Sequence, residues 1–184
     1  MSTVDLMLLG ALMKKSMSAY EMKKDMESRN LNSWVKISSP SIYKNLVALH
    51  KKGYLDGDIV KEGEMPEKTI YSINEKGRSY FMSLMETYSK EPGIIYIDFI
   101  AFVANLYNVD LDTGLRMIRN LRDKLAEERE YIQSNMEEKQ EFVPMHASSI
   151  LELYDKMYSL FFDWSEEIIR EYEYKKRSQI LNLS

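Results

Sequence analysis

Ser39, Ser41, Lys44 and Asn45 stand close together in the stretch SSPSIYKNLVALHKKGYL, residues 38–55. Hydroxyl, carboxamide and ammonium groups donate hydrogen bonds, and on one helix face they suit the base edges and phosphate oxygens of a duplex. That is the chemistry of recognition, not of bond breaking. The chain has no cysteine, which removes disulfides, thiolate metal sites and thiol nucleophiles. His50 and His146 lie far apart without ligand spacing. Carboxylates come in runs such as Glu127-Glu128-Arg129-Glu130 and Glu137-Glu138, the pattern of a solvated helix face. With no phosphate loop and no nucleophile–base spacing, the sequence reads as a non-enzyme that needs no metal and no cofactor.

The polar face needs a helix to carry it. Ile42, Leu46 and Leu49 fall at i, i+4 and i+7, so one stripe packs while Ser41, Lys44, Asn45, Ala48 and Lys52 point largely away. Ser39-Pro40 predicts an N-cap followed by proline at the first helical position, and Gly53 a C-terminal stop. Tyr43 either braces the core with its ring or meets a phosphate with its hydroxyl. Ahead of this helix, Ser18-Ala-Tyr-Glu21 is a capping box, with Met17 positioned to staple Met22. It opens a helix running to about Arg29, whose early Tyr20 either packs or brings its hydroxyl to a backbone phosphate. Lys36, in the Asn30–Ser38 loop, completes this set of candidates.

Around these lie a first helix on Val4, Met7, Leu8, Ala11 and Leu12, and a β-hairpin on Leu55, Ile59, Ile70 and Ile73 with the tip KEGEMPEK. Asn74 predicts the start of a fourth helix that reaches Glu91-Pro92-Gly93. Helix, helix, helix, hairpin, helix is the order of a winged helix-turn-helix, in which the third helix enters the major groove. Net charge is −4, but residues 1–90 carry 14 Lys and Arg against 11 Asp and Glu, and residues 91–184 carry 11 against 18. A mildly basic front half is therefore hidden inside an acidic chain.

The segments SAYEMKKDME, SSPSIYKNLVALHKKGYL and KTIYSINEKGR resemble the N-terminal domain of PadR-family transcriptional regulators. The resemblance covers about half of the chain. It implies a Ser-x-x-Tyr recognition helix and a hairpin closing on a Thr-Glu-Lys-Gly-Arg-like run, with Asn74 replacing the threonine. The wing departs from the family, with Glu62, Glu64 and Glu67 among Lys61 and Lys68 where basic residues are usual. The candidate DNA contacts are thus Tyr20, Lys36, Ser39, Ser41, Tyr43, Lys44, Asn45, Lys61 and Lys68.

Beyond Gly93, Ile94 to Tyr107 is strongly apolar around a helical circumference and is expected to be buried. Asp110 is placed to cap a long helix ending before Pro144. From Ser148 or Ser149 another helix spaces Ile150, Tyr154, Met157, Phe161, Trp164 and Ile168 at alternating four- and three-residue steps, the seam of coiled-coil packing. Leu151, Tyr158, Phe162 and Ile169 widen it beyond what one antiparallel neighbour covers.

The expected architecture is mainly α with a small β-hairpin wing. Residues 1–91 form a winged helix-turn-helix, and residues 92–184 an antiparallel, coiled-coil-like helical domain that makes a homodimer, with Tyr154, Met157, Phe161, Trp164 and Ile168 at the interface. The resemblance agrees with this and implies an operator-binding regulator, read as a repressor. It also implies a small aromatic effector near Phe99, Phe102, Tyr158 and Trp164, although hydrophobic core is the preferred reading of those rings. No apolar run reaches the roughly 20 residues of a membrane span, and no signal peptide is evident, so the reading is cytoplasmic. Two alternatives remain: a winged-helix protein-interaction module, motivated by the acidic wing, and a small-molecule-binding helical protein without a DNA role.

Overall fold

Ser2 caps the first helix, its hydroxyl accepting the Asp5 N–H at 3.1 Å, and α1 follows as Thr3–Leu12. In this computed structural model, which describes residues 2–29, 35, 37–61, 67–138 and 144–181, the chain divides into two compact units, Met1–Ile95 and Tyr96–Ser184.

In the first unit, β1 (Met17–Ser18) leads into α2 (Ala19–Ser28), then α3 (Ser39–Lys51), β2 (Leu55–Val60), β3 (Lys68–Ile73) and α4 (Glu75–Lys90). The predicted hairpin is present, β2 pairing antiparallel with β3 from Leu55 opposite Ile73 to Val60 opposite Lys68. Two residues of β1 add to the other edge of β3, giving the order β1-β3-β2. So short a strand has no alternation of its own to reveal it. The core gathers Leu8, Leu9, Met22, Met26, Ile42, Leu46, Leu49 and Leu55, all at most 2% exposed, so the apolar stripes of α1, α2 and α3 converge on one centre.

Local signals fix the ends of these helices. Both halves of the Ser18–Glu21 capping box form. At the end of α3, Gly53 adopts φ +73°. Its N–H donates to His50 O at 2.9 Å, and Tyr54 N–H donates to Leu49 O at 3.0 Å. These two bonds satisfy carbonyls that the last turn leaves open. Asn74 caps α4 by accepting the Gly77 N–H at 3.0 Å. A side chain at Gly77 would put its Cβ 2.1 Å from the Tyr54 carbonyl oxygen, so only glycine fits where this turn meets the wing.

The start of α3 differs from expectation. Ser38, not Ser39, is the N-cap, and Ser39 and Pro40 lie inside the first turn. The register moves because Ser41, three residues on, returns a hydrogen bond to the Ser38 N–H, which makes a reciprocal cap that Ser39 has no partner to form.

The second unit holds a single-turn α5 (Ile100–Val103), a 3₁₀ turn at Leu106–Asn108, and two long helices, α6 (Leu111–Glu138) and α7 (Met145–Leu181). Asp110 caps α6 as expected, accepting the Thr113 N–H at 2.9 Å. Two expectations fail. First, α7 begins at Met145 rather than at Ser148 or Ser149, directly after Pro144, whose carbonyl accepts from Ala147 and Ser148. Second, Ile94 to Tyr107 is neither one helix nor buried: Ile94, Ile95, Tyr96 and Tyr107 are 77–82% exposed. Gly93 at φ +89° and a run of β-branched isoleucines keep residues 94–97 out of helix, and Ile94, Ile95 and Tyr96 are left open among the described residues.

Helices α6 and α7 run antiparallel. Arg119–Glu173 and Arg122–Glu166 each meet at 2.6 Å, and Asp112 pairs with Lys176. Between them Ile118, Leu125, Ile132, Ser165 and Ile169 are buried. The helices approach closely where Gly114 faces Tyr172, a Cβ there falling 3.0 Å from the ring.

Candidate nucleic-acid interface

On α3 the buried stripe sends the opposite face outward. Tyr43 is 45% exposed, Val47 43%, and Lys44 is exposed. Ser39, Ser41 and Asn45 are half-buried. Two of these polar groups are already engaged: the Ser41 hydroxyl accepts from Ser38 N–H at 3.0 Å and donates to Ser38 O at 2.7 Å, and Asn45 Nδ2 donates to Ser41 O at 2.7 Å. The side chains most available at this surface are thus Lys44, Tyr43 and Val47. Val47 was not singled out from the sequence, although it lies four residues after Tyr43 and off the Ile42–Leu46–Leu49 stripe. An exposed valine beside polar groups can meet a thymine methyl.

Tyr43 also borders a groove of about 650 Å³ between the first turns of α2 and the start of β3, together with Tyr20, Lys24 and Lys68. Tyr20 is 55% exposed, so it presents its ring to solvent. Lys24, one turn further along α2, holds its ammonium 4.8 Å from the centre of that ring. Contact with the Tyr20 side chain raises the Lys24 pKa above the ordinary lysine value. Lys24 was missed in the sequence, where it is one of several helical lysines; its i, i+4 relation to Tyr20 was the available signal.

Glu21 lines the same groove, but its carboxylate accepts the Ser18 N–H at 2.7 Å and the Ser18 hydroxyl at 2.8 Å. The backbone bond from Ser18, and then that from its hydroxyl, hold Glu21 below the ordinary carboxylate value, with Lys68 and Lys15 acting in the same direction. The Ser18 amide at the start of α2, next to Tyr20, is therefore already bonded to an anion.

On the wing, Lys61 is exposed beyond β2, and Lys68 is half-buried at the start of β3. Asp56 and Asp58 are exposed along β2, Asp56 accepting from Asn74 Nδ2 at 3.1 Å. Lys36, Glu62 and Glu64 lie outside the described residues.

In the second unit, Tyr154, Met157, Phe161, Trp164 and Ile168 are all half-buried in the single chain. Ile168 packs on the cluster of Leu106, Leu115, Ile118 and Ile169. The most exposed apolar positions in this part of α7 are Leu160 at 65% and Leu153 at 62%; with Ile150, Met157 and Trp164 they step by three and four, one position to the side of the expected seam. Of the rings expected to form a pocket, Phe99 and Trp164 do meet, with centroids 5.7 Å apart, and Phe161 stands edge-on to Phe99 at 5.3 Å. With Ile97, Ile100 and Leu160 they line a notch of about 260 Å³. Phe102 instead packs on the Leu106 cluster, and Tyr158 meets Phe161 edge-on at 6.3 Å without lining the notch. Among the described residues no group of acidic and histidine side chains is arranged to hold a metal ion, and no helix is long and apolar enough to cross a membrane.

Three core helices, a third helix with an outward polar face and a three-stranded sheet with a hairpin define the first unit as a winged helix-turn-helix. Residues 8–83 match the transcriptional regulator PadR-like family. No curated protein matches the chain in sequence. The fold is shared over nearly the whole length with solved structures. Bacillus subtilis PadR in complex with operator DNA has 15% identity and a TM-score of 0.80, over 94% of this chain and 98% of that one. The same protein in complex with p-coumaric acid has 14% identity and a TM-score of 0.77, over 94% and 99%. The PadR-like transcriptional regulator BC1756 from Bacillus cereus has 21% identity and a TM-score of 0.72, over 94% and 99%.

Proposed function

We propose that this chain is a sequence-specific DNA-binding transcriptional repressor that acts as a homodimer. The observation that carries the reading is the PadR-like domain at residues 8–83 with an α3 whose outward face offers Tyr43, Lys44 and Val47 beside a groove lined by Lys24 and Lys68 together with Glu21 and Glu67. In this reading Lys44 and Val47 meet base edges. Ser39 and Asn45 flank them, and Ser41 shapes the first turn of α3. Lys36, Lys61 and Lys68 add charge near phosphates.

Dimerisation is supported by the apolar surface one chain leaves uncovered, above all Leu153, Leu160 and Tyr96 at 62–81% exposure. Exposed apolar patches of that kind mark association sites. The interface assigned to Tyr154, Met157, Phe161, Trp164 and Ile168 is extended by Leu153 and Leu160. Two copies of α3 related by a two-fold axis then reach successive major grooves about 34 Å apart. A small aromatic effector is part of the proposal, supported by the notch at Phe99, Phe161 and Trp164 and by p-coumaric acid in complex with Bacillus subtilis PadR.

The test is a mobility shift with duplexes selected by the protein from the genome of its source, followed by transcription from a selected promoter with and without the protein. A preferred pseudo-palindrome and lowered transcription are expected. Equal affinity for every duplex sinks the specific-regulator reading; raised transcription sinks repression alone.

A further inference from the structure

The joint between α3 and the wing is short. Helix α3 ends at Lys51 and β2 starts at Leu55, so residues 52–54 alone connect them, with Gly53 at φ +73° in the middle. Glycine gives a backbone joint unusual freedom, so the connection limits how far the two elements can part while their angle depends on other bonds.

Side chains from both directions supply those bonds. His50, in the last turn of α3, holds its Nδ1 2.9 Å from the Leu55 carbonyl oxygen, and its ring stands edge-on to Tyr71 of β3 with centroids 6.0 Å apart. Gly57 leaves room for that ring, since a Cβ there falls 3.2 Å from His50 Cε1. From α4, Lys76 Nζ donates to the Lys52 carbonyl oxygen at 3.0 Å. Asn74 spans the most. Its Oδ1 accepts the Gly77 N–H at 3.0 Å, while its Nδ2 donates to the Gly53 carbonyl oxygen at 3.2 Å and to Asp56 Oδ1 at 3.1 Å. A single carboxamide thus reaches the turn after α3, the first strand of the wing and the start of α4.

Capping α4 uses only the oxygen, and aspartate or threonine caps a helix as well. The two bonds from Nδ2 go further. An aspartate carboxylate has no donor to make them, and threonine has a single hydroxyl that stops one bond short of the Nδ2 position. The bond to Asp56 ends on a carboxylate, the stronger charge-assisted kind.

We propose that Asn74 is a positioning residue for DNA recognition: by tying Gly53 and Asp56 to the start of α4 it fixes the angle between α3 and the wing, and with it how sharply the protein tells its operator from other duplexes. This rests on the DNA-binding reading above. Asn74 meets no base or phosphate in this role. Its effect passes through the placement of Lys44 and Val47 on α3 relative to the hairpin that leads to Lys61.

The experiment uses the full-length chain with two probes: a duplex that the wild-type protein selects from a random pool, and a scrambled duplex of equal length. Fluorescence anisotropy gives the ratio of the two affinities for the wild type, Asn74→Thr, Asn74→Asp, and Asn74→Asp combined with Asp56→Asn. Melting curves set a working temperature at which every variant is fully folded, so lost stability alone does not move the ratio. For Asn74→Thr the ratio falls by about tenfold, the weight of one mismatched base pair, with affinity for the scrambled duplex unchanged. Asn74→Asp lowers it at least as far, because two carboxylates then face each other. Adding Asp56→Asn recovers part of the ratio, since the new amide donates to the new carboxylate and the net charge returns to that of the wild type. A wild-type ratio in both single variants, an equal loss on both probes, or no recovery in the combined variant overturns the positioning role and leaves Asn74 a helix cap. A wild-type protein that binds both probes equally overturns the DNA-recognition reading itself.

Discussion

Replacing Leu153 and Leu160 together with alanine tests the second unit most directly. Both side chains are mostly outside the α6–α7 core, at 62% and 65% exposure, so truncating them leaves the fold of one chain nearly untouched. Complete burial of a leucine is worth about 1.5–3 kcal/mol. With roughly two thirds of each still open, the interface has about 1–2 kcal/mol per side chain to gain. A two-fold dimer buries four of them, or about 4–8 kcal/mol, and alanine keeps only a fraction of that. The dissociation constant is then expected to rise by roughly three orders of magnitude or more. Sedimentation equilibrium from 0.1 to 100 μM reads this directly, and the melting temperature at a concentration where both proteins are monomeric reports on the fold. If the double variant remains a dimer with a dissociation constant within fivefold of wild type, α7 does not associate through this seam. An equal loss of stability in the monomer would show instead that the leucines are core.

Three further outcomes are expected. Gly77→Ala drives its Cβ into the Tyr54 carbonyl and within 2.8 Å of Ile73 Cγ1, both close to backbone, so it costs about 3 kcal/mol or more and lowers the first thermal transition far more than a solvent-facing alanine, such as Ser79→Ala on α4. Ser38→Ala removes the cap of α3 and costs about 1 kcal/mol, seen as a lower denaturant midpoint with an unchanged m-value; a neutral result would show that Ser39 takes over as the cap. Glu21→Ala separates from wild type in a pH-dependent way. Because the folded protein holds Glu21 below its ordinary value of 4.5, the stabilisation is complete above that value and disappears as the pH falls through the lower folded one. The melting-temperature gap between the two proteins therefore closes in acid, and a gap independent of pH would refute the role given to the ionised carboxylate.

The features that were legible from residue order act over a few residues. The Ser18–Glu21 box, the Gly53 stop, the Asn74 cap, the Ile42–Leu46–Leu49 stripe and the hairpin each depend on neighbours within one turn or one strand pair, so spacing alone announces them. One local miss, Ser38 in place of Ser39, arose from competition between adjacent serines, which only the returning bond from Ser41 resolves.

Other features depend on contacts that residue order does not contain. The groove exists because α2, α3 and β3 converge, and nothing near Lys24 in the chain says that Tyr43 and Lys68 will face it. The exposure of Ile94 to Tyr96 contradicts an apolar run that by composition belongs in a core, because burial depends on which surfaces meet and not on hydrophobicity alone. The sequence by itself determined the four helices of the first unit, the caps at Ser18 and Asn74, and the winged order. Tertiary structure decided which polar groups on α3 were already engaged in capping, which lysine reached the groove and which face of α7 was left open. Hydrogen bonds within a turn are set by chain connectivity, whereas accessibility is set by everything that packs around a residue.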